Sequence, residues 1–175
     1  MADQSETHKL LQQGQVNACI SSQNEAMSGC KAHCLGKMRY RMVAPPAFIQ
    51  LWFKRGISRE ALPKAPAVTY NDQDHLHSHT LLAQFGLHQQ CFAFYYTPSA
   101  TAFAEAIFSG LGYGLVPEYQ IADRLENDAL VEILPECQCD VPLYWHHWQQ
   151  QSPALRVLTE VILYQASSLL NQSRF

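Results

Sequence analysis

Between Ala67 and Leu134, short apolar runs alternate with segments of helical spacing, and that alternation narrows the fold more than any other feature. Ala67 to Tyr70 is a short apolar run that leaves through Asn71-Asp72. Asp74 to Phe85 carries Leu76, Leu81, Leu82 and Phe85, which a helix gathers mainly on one face. Cys91 to Tyr96 is a continuous, largely aromatic run bounded by Thr97-Pro98, the pattern of a strand buried on both faces. Ser99 to Phe108 places Ala100, Phe103, Ala104 and Ile107 at helical spacing. Tyr113 to Val116 then reads as a strand, Pro117 opens a helix that Leu125 closes, and Leu130 to Leu134 reads as another strand. Strand, helix and strand in this order predict an α/β fold, a mostly parallel sheet with helices on both faces.

The flanks carry more elements. Thr7 to Gln13 reads as a helix closed by Gly14, and Val16 to Ser21 as a strand with Ala18 and Ile20 facing inward. Lys37 to Val43 alternates as a strand does and stops at Ala44-Pro45-Pro46. Ala47 to Lys54 is helical up to Gly56, and Ser58, Glu60 and Leu62 suggest a second short helix before Pro63. Val141 to Trp148 is a long aromatic strand. Pro153 to Leu170 is a closing amphipathic helix with Leu155, Leu158, Val161, Ile162, Ala166 and Leu169 on its apolar side.

Composition excludes several classes. Charged residues are 15% of the 175, against about 25% in an ordinary domain, so part of the surface is expected to lie under a partner. The net charge is -3 and no basic stretch supplies phosphate contacts, so DNA binding by this chain alone is not expected. Met1 to Leu11 is polar and unlike an export signal, and no run of about 18 apolar residues spans a membrane. The six cysteines are therefore expected to be reduced thiols in the cytoplasm.

Several constellations invite chemistry. Gly110-x-Gly112-x-Gly114 looks like a dinucleotide loop, but that loop follows a strand and opens a helix. Here the order is reversed, and the glycines read as a tight turn and close packing. His75, His77 and His79, with Cys30, His33, Cys34, Cys137 and Cys139, are dense in metal-ligating types, yet no C-x-x-C pair occurs. They read as surface histidines and buried thiols, and no metal or other cofactor is expected. Ser99, His146 and Asp140 are the types of a nucleophilic triad, but no G-x-S-x-G elbow holds the serine. Cys19 and Cys91 fall inside strands, where a thiol is inert packing. An enzyme is not expected.

A ligand site reads better. In open α/β sheets, ligands sit at the carboxyl ends of strands, where helices begin. Those places are Ala44 and Pro45, Tyr70 with Asn71, Asp72 and Asp74, and Thr97 with Ser99. A helix N-terminus offers N–H groups to a carboxylate such as that of an amino acid. Asp72 or Asp74 then faces a cationic group; the competing role for Asp74 and Ser99 is helix capping.

The stretch Ser109-Gly110-Leu111-Gly112-Tyr113-Gly114-Leu115-Val116-Pro117 resembles the signature of LysR effector domains, and Asp128-Ala129-Leu130-Val131-Glu132-Ile133 resembles that family's following strand. Ser58-Arg59-Glu60-Ala61-Leu62-Pro63-Lys64-Ala65-Pro66, with Leu143-Tyr144-Trp145-His146, is similar to the subgroup called chromosome-initiation inhibitor or arginine-transport regulator. The resemblance runs from about Glu6 to about Leu170. It implies a type 2 periplasmic-binding-protein-like fold, with two lobes joined by two crossing strands and a small effector in the cleft. On it, residues 1–43 and 143–175 form the first lobe and residues 44–142 the second, with Lys37 to Val43 and Leu143 to Trp148 crossing.

The resemblance also implies that the DNA-binding helix-turn-helix is absent from this chain and that the first lobe is incomplete. An unpaired strand edge and exposed apolar surface are then expected there, with Trp145 and Trp148 partly uncovered. The implied function is effector sensing for a LysR-type transcription regulator responsive to an amino acid-like ligand such as arginine or lysine. The partners are that effector and a second chain, as homo-oligomer or in association with an intact regulator. The alternatives are a stand-alone small-molecule binding protein and a non-binding remnant that associates with intact regulators.

Overall fold

The computed structural model describes residues 4–71, 74–137 and 139–170. The chain divides into two compact units, one formed by Met1–Arg39 with Asp140–Phe175 and the other by Tyr40–Cys139. Two long strands, β2 (Cys30–Ala44) and β7 (Cys139–Trp148), contribute to both.

In the first unit, helix α1 (Gln4–Gln12) leads to β1 (Ala18–Ser21), and helix α6 (Pro153–Leu169) follows β7. The strand order is β1-β7-β2, with β1 antiparallel to β7 and Ile20 opposite Trp145. Side chains alternate across a strand, so the sheet has two faces. On one, Leu35, Leu143 and Trp145 pack against Leu155, Ile162, Leu163 and Ala166 of α6. On the other, Leu11 of α1 packs with Cys19 and Cys30. Thr159 fastens α6 to the sheet: its hydroxyl donates to the Leu155 carbonyl and accepts from Trp145 Nε1 at 3.0 Å and from the Gln151 amide.

Three expectations change here. Cys19 and Ser21, not Ala18 and Ile20, are the buried pair of β1, because α1 covers their face. Trp145 is buried under α6. The exposed apolar surface lies instead on α6, where Leu155, Ile162 and Ala166 face the sheet while Leu158, Val161 and Leu169 do not.

In the second unit, the end of β2 pairs antiparallel with β5 (Gly114–Pro117) and with β6 (Val131–Glu132). Strands β3 (Ala67–Thr69) and β4 (Phe94–Tyr96) pair in parallel, and a parallel bridge joins Ala67 to Tyr113 at the entry to β5. The sheet is therefore mixed, because β2 runs against its neighbours. Helices α2 (Pro46–Trp52), α3 (Leu76–Phe85), α4 (Ala100–Phe108) and α5 (Ala122–Glu126) complete the unit. Alternation again makes two cores. Met42, Ala67, Tyr113 and Leu115 face Phe48, Phe53, Leu81 and Phe92, whereas Val43, Val68 and Val116 face Phe103, Ile107 and Ile121.

The glycine run is explained by contact. A Cβ on Gly112 stands 2.7 Å from the Pro66 carbonyl oxygen, and one on Gly114 stands 2.7 Å from Ile107 Cδ1 and 3.0 Å from the Val68 oxygen. Only hydrogen at these positions lets the chain entering β5 lie against β3 and α4.

Other local readings are corrected. Cys30 to Gly36 extends β2 well ahead of Lys37. Ser58 accepts a bond from the Ala61 amide in a turn, and only Leu62–Lys64 winds further, as 3-10 helix. On α3 the buried residues are His77, Thr80 and Leu81, and Leu82 is exposed. Strand β4 is not buried on both faces, since Tyr95 and Tyr96 are about half exposed. Cys91 lies in a 3-10 turn before β4, exposed, rather than inside a strand.

His77 sits wholly inside, against the rings of Tyr113 and Phe92 at 5.1 and 5.7 Å. Burial holds its pKa down to about 4 and lowers those of His33 and His146 as well. These groups are neutral when folded and protonate more readily when unfolded. The His77 contribution to stability is complete above pH 6.5, the ordinary histidine value, and is lost as pH falls towards 4, and those of His33 and His146 weaken in the same direction. Urea unfolding between pH 7.5 and 4.5 is expected to show falling stability, and His77→Phe to flatten the slope. A pH-independent midpoint contradicts this. Gly112→Ala is expected to cost about 1–3 kcal/mol in the same assay, because its new methyl meets backbone.

Candidate functional site

The second unit brings two of the three expected strand ends to one place. The third, Ala44-Pro45, lies at the opposite end of the sheet, because β2 runs against β5 and β3, and Pro45 stands by Gly110 past the C-terminus of α4. β3 and β4 are parallel neighbours, so both present their carboxyl ends on the same side. The Thr97 amide donates to the Thr69 carbonyl at 3.0 Å, and the Ser99 amide donates to the Thr97 carbonyl at 2.8 Å. Thr97 and Ser99 thus stand beside the end of β3 and lead into α4. The first turn of any helix has amide groups with no partner inside the helix, and they carry partial positive charge. At α4 this turn is exposed at Ser99 and Ala100, with Tyr96 open beside it. Ser99 caps the helix with a long bond, accepting from the Ala102 amide at 3.5 Å.

The remaining expected residues divide. Tyr70 and Asn71 follow β3 and are half-buried. Asp72 lies outside the described residues. Asp74 is held by local backbone: one carboxylate oxygen accepts from the Tyr70 amide and the other from the Leu76 amide, each at 3.2 Å. It fixes the turn between β3 and α3. Ala44 is fully buried at the end of β2, and Pro45 precedes α2, a helix of 7 residues. Pro45's carbonyl accepts the first α2 bonds from Phe48 and Ile49. Both shape the backbone there and offer no polar side chain.

One residue was missed from the sequence. Thr69 ends β3, is buried, and its hydroxyl has no hydrogen-bond partner. Nothing in the sequence marks it, since strand propensity alone accounts for a threonine closing the run Ala67-Val68-Thr69.

The competing constellations are occupied by structural roles. Asp140 takes two bonds from the Arg39 guanidinium, at 2.8 and 3.0 Å. His146 is buried, with Nε2 donating to the Gln23 carbonyl at 2.8 Å. His75 and His79 stack on the exposed side of α3, while His77 is buried on the other. Among the described residues, no three His, Cys, Asp or Glu side chains are grouped as metal ligands are. Among them, too, no helix is long and apolar enough to cross a membrane.

Comparison with known proteins agrees with this architecture. Residues 1–167 match the LysR substrate binding domain, and the chain belongs to that family. The fold is accordingly α/β and type 2 periplasmic-binding-protein-like. The HTH-type transcriptional regulator ArgP of Pseudomonas fluorescens is 40% identical over 158 residues, covering 90% of this chain and 52% of its own length. The chain thus spans about half the length of the curated relatives it matches. A structure of the C-terminal domains of a LysR family protein from Agrobacterium tumefaciens superposes with a TM-score of 0.91 at 30% identity, covering 98% of this chain and 82% of that one. Full-length LysG from Corynebacterium glutamicum with bound effector Arg gives a TM-score of 0.87 at 29% identity, over 98% of this chain and 58% of that one.

Because both Asp74 oxygens are spent on backbone, Asp74→Ala is expected to lower stability by about 1–2 kcal/mol without any ligand present. Thermal unfolding of the two proteins checks it; an unchanged midpoint shows that the turn does not need the carboxylate.

Proposed function

We propose that this chain is an effector-sensing domain of a LysR-type transcription regulator and that it binds a small amino acid-like ligand through the second unit. The observation that carries the reading is the exposed α4 N-terminus at the joined ends of β3 and β4, in a chain of the LysR substrate binding domain family. The amides of the first α4 turn and the hydroxyls of Thr97 and Ser99 hold the ligand's carboxylate. Tyr70 and Asn71 follow β3 in the neighbouring loop, and Asp74 holds backbone there. The arginine bound by LysG supports a ligand of the same kind, arginine or lysine, for this chain.

Sensing follows from differential affinity. A ligand that contacts one conformation better than another shifts the population towards it, by no more than that difference in binding free energy. No catalytic step is assigned: Asp140 and His146, the candidates for general chemistry, are engaged by Arg39 and Gln23. Transcription regulation places the domain in the cytoplasm, acting as an oligomer with DNA contacts made outside this chain, whose net charge is -3.

Calorimetric titration of arginine, lysine and uncharged amino acids tests the reading. Saturable binding of at least one is expected. Thr97→Val keeps the side-chain shape and removes the hydroxyl, and is expected to weaken binding roughly ten- to a hundredfold. Silent titrations for every amino acid contradict sensing by this chain. Binding that Thr97→Val leaves unchanged contradicts the placement of the carboxylate.

A further inference from the structure

The sheet of the first unit brings together two histidines that stand 114 residues apart in the chain. His33 lies on β2 and His147 on the neighbouring strand β7. Their Nε2 atoms are 3.1 Å apart, and their rings are nearly parallel, with 14° between the planes and 5.2 Å between centroids. His147 is buried and His33 half-buried, so one ring is held fast while the other keeps some freedom to turn.

The tautomer of His147 follows from its second nitrogen. Nδ1 is 2.7 Å from the Trp148 carbonyl, which can only accept, so Nδ1 carries the proton and Nε2 presents its lone pair to His33. A carbonyl holding the far N–H of an imidazole is the usual outer support of a metal-ligating histidine. Zinc–imidazole bonds of about 2.0–2.1 Å set two nitrogens about 3.3 Å apart at a tetrahedral ion and about 2.9 Å apart at an octahedral one. The observed 3.1 Å falls between these values. Burial, with the neighbouring His147 and Lys31, holds the His33 pKa below the ordinary histidine value, so near neutral pH its ring is in the form that a metal takes.

We propose that His33 and His147 form an open two-histidine site for a divalent transition ion such as zinc. The ion takes the place of the Nε2 proton that His33 now donates to His147. His33 keeps one N–H by carrying it at Nδ1, so both rings stay neutral and no proton leaves. Zinc takes four ligands, and water or an oxygen of a bound molecule fills the remaining positions. Imidazole nitrogen suits zinc, copper and nickel, whereas magnesium and calcium take oxygen. An ion at this place ties β2 to β7 and stabilises the folded chain, because it binds that state. The site belongs to the first unit and does not rest on the ligand site proposed in the second. Two neighbours serve as controls. Cys34 follows His33 and faces the other side of β2 by strand alternation. His75 and His79, 5.8 Å between centroids on α3, are a second histidine pair.

Titration of the chain with zinc, free of any affinity tag, tests this. Nitrogen-edited NMR of isotope-labelled histidine rings is expected to show saturable shifts of the Nε2 signals of His33 and His147. Calorimetry is expected to show that site weakened at least tenfold by His33→Gln and by His147→Gln, since either leaves a single imidazole. Cys34→Ser and His79→Gln are expected to leave it intact. Zinc is expected to raise the thermal midpoint of the wild type and not that of His33→Gln. Far-UV circular dichroism verifies that each variant folds; His33 is half-buried, so its replacement remains a valid test if His147→Gln unfolds. Ring nitrogens that zinc does not shift overturn the proposal and leave the pair a hydrogen bond alone. Binding that His33→Gln leaves unchanged overturns it too. So does binding that Cys34→Ser or His79→Gln abolishes, because the ion then sits elsewhere.

Discussion

The close approach permitted by Gly112 and Gly114 is the constraint on which the second unit depends. Pro66 and Val68 on β3, and Ile107 on α4, occupy the space that side chains at these two positions require. With hydrogens there, the Val68 amide donates to the Tyr113 carbonyl at 2.8 Å and the Tyr113 amide to the Pro66 carbonyl at 3.1 Å. This contact joins the β3–β4 pair to β5 and hence to β2. It also sets α4 against the sheet, so the direction of the α4 N-terminus follows from a packing event one helix-length away. A run that superficially suggests nucleotide binding thus acts by shaping backbone, and the proposed ligand site is at the other end of the helix.

Polar groups are arranged in keeping with that scaffold. Arg41 on β2 joins Glu118 and Glu132 at 2.9 Å each, tying the segments after β5 and in β6 to the central strand. Arg39 and Asp140 form a paired bond in the first unit. The start of α4 is left exposed at Ser99 and Ala100, with the Ser99 hydroxyl engaged only by the long bond from the Ala102 amide at 3.5 Å. Helix α6 shows the complementary feature, apolar area spared from the core, and the low charge content of the chain fits both.

Much of this was legible in the sequence for a definite reason. The βαβ rhythm from Ala67 to Leu134, the Ser99 cap and the Gly-x-Gly turn are local signals, and each appeared close to its expected place. The failures were failures of facing. Nothing local reveals that α1 covers the Cys19 side of β1, or that α3 buries His77 in preference to Leu82; neighbours distant in sequence decide that. The aromatic run Cys91 to Tyr96 was over-read as core because hydrophobicity does not report which face has a neighbour. In the site, Thr97 and Ser99 were readable as a strand end followed by a cap. Asp74 was ambiguous until its two backbone bonds were seen, and Thr69 was hidden by being an ordinary strand residue.

The central claim is that an amino acid-like effector is held by the first turn of α4. Amide-resolved NMR titration of the chain with arginine tests it most directly, since each backbone N–H in the site reports for itself. The account predicts saturable shifts concentrated at Thr97 to Ala102 and at Thr69 to Asn71, with α6 unmoved. Shifts confined to other elements, or a spectrum that does not respond to any amino acid, contradict it.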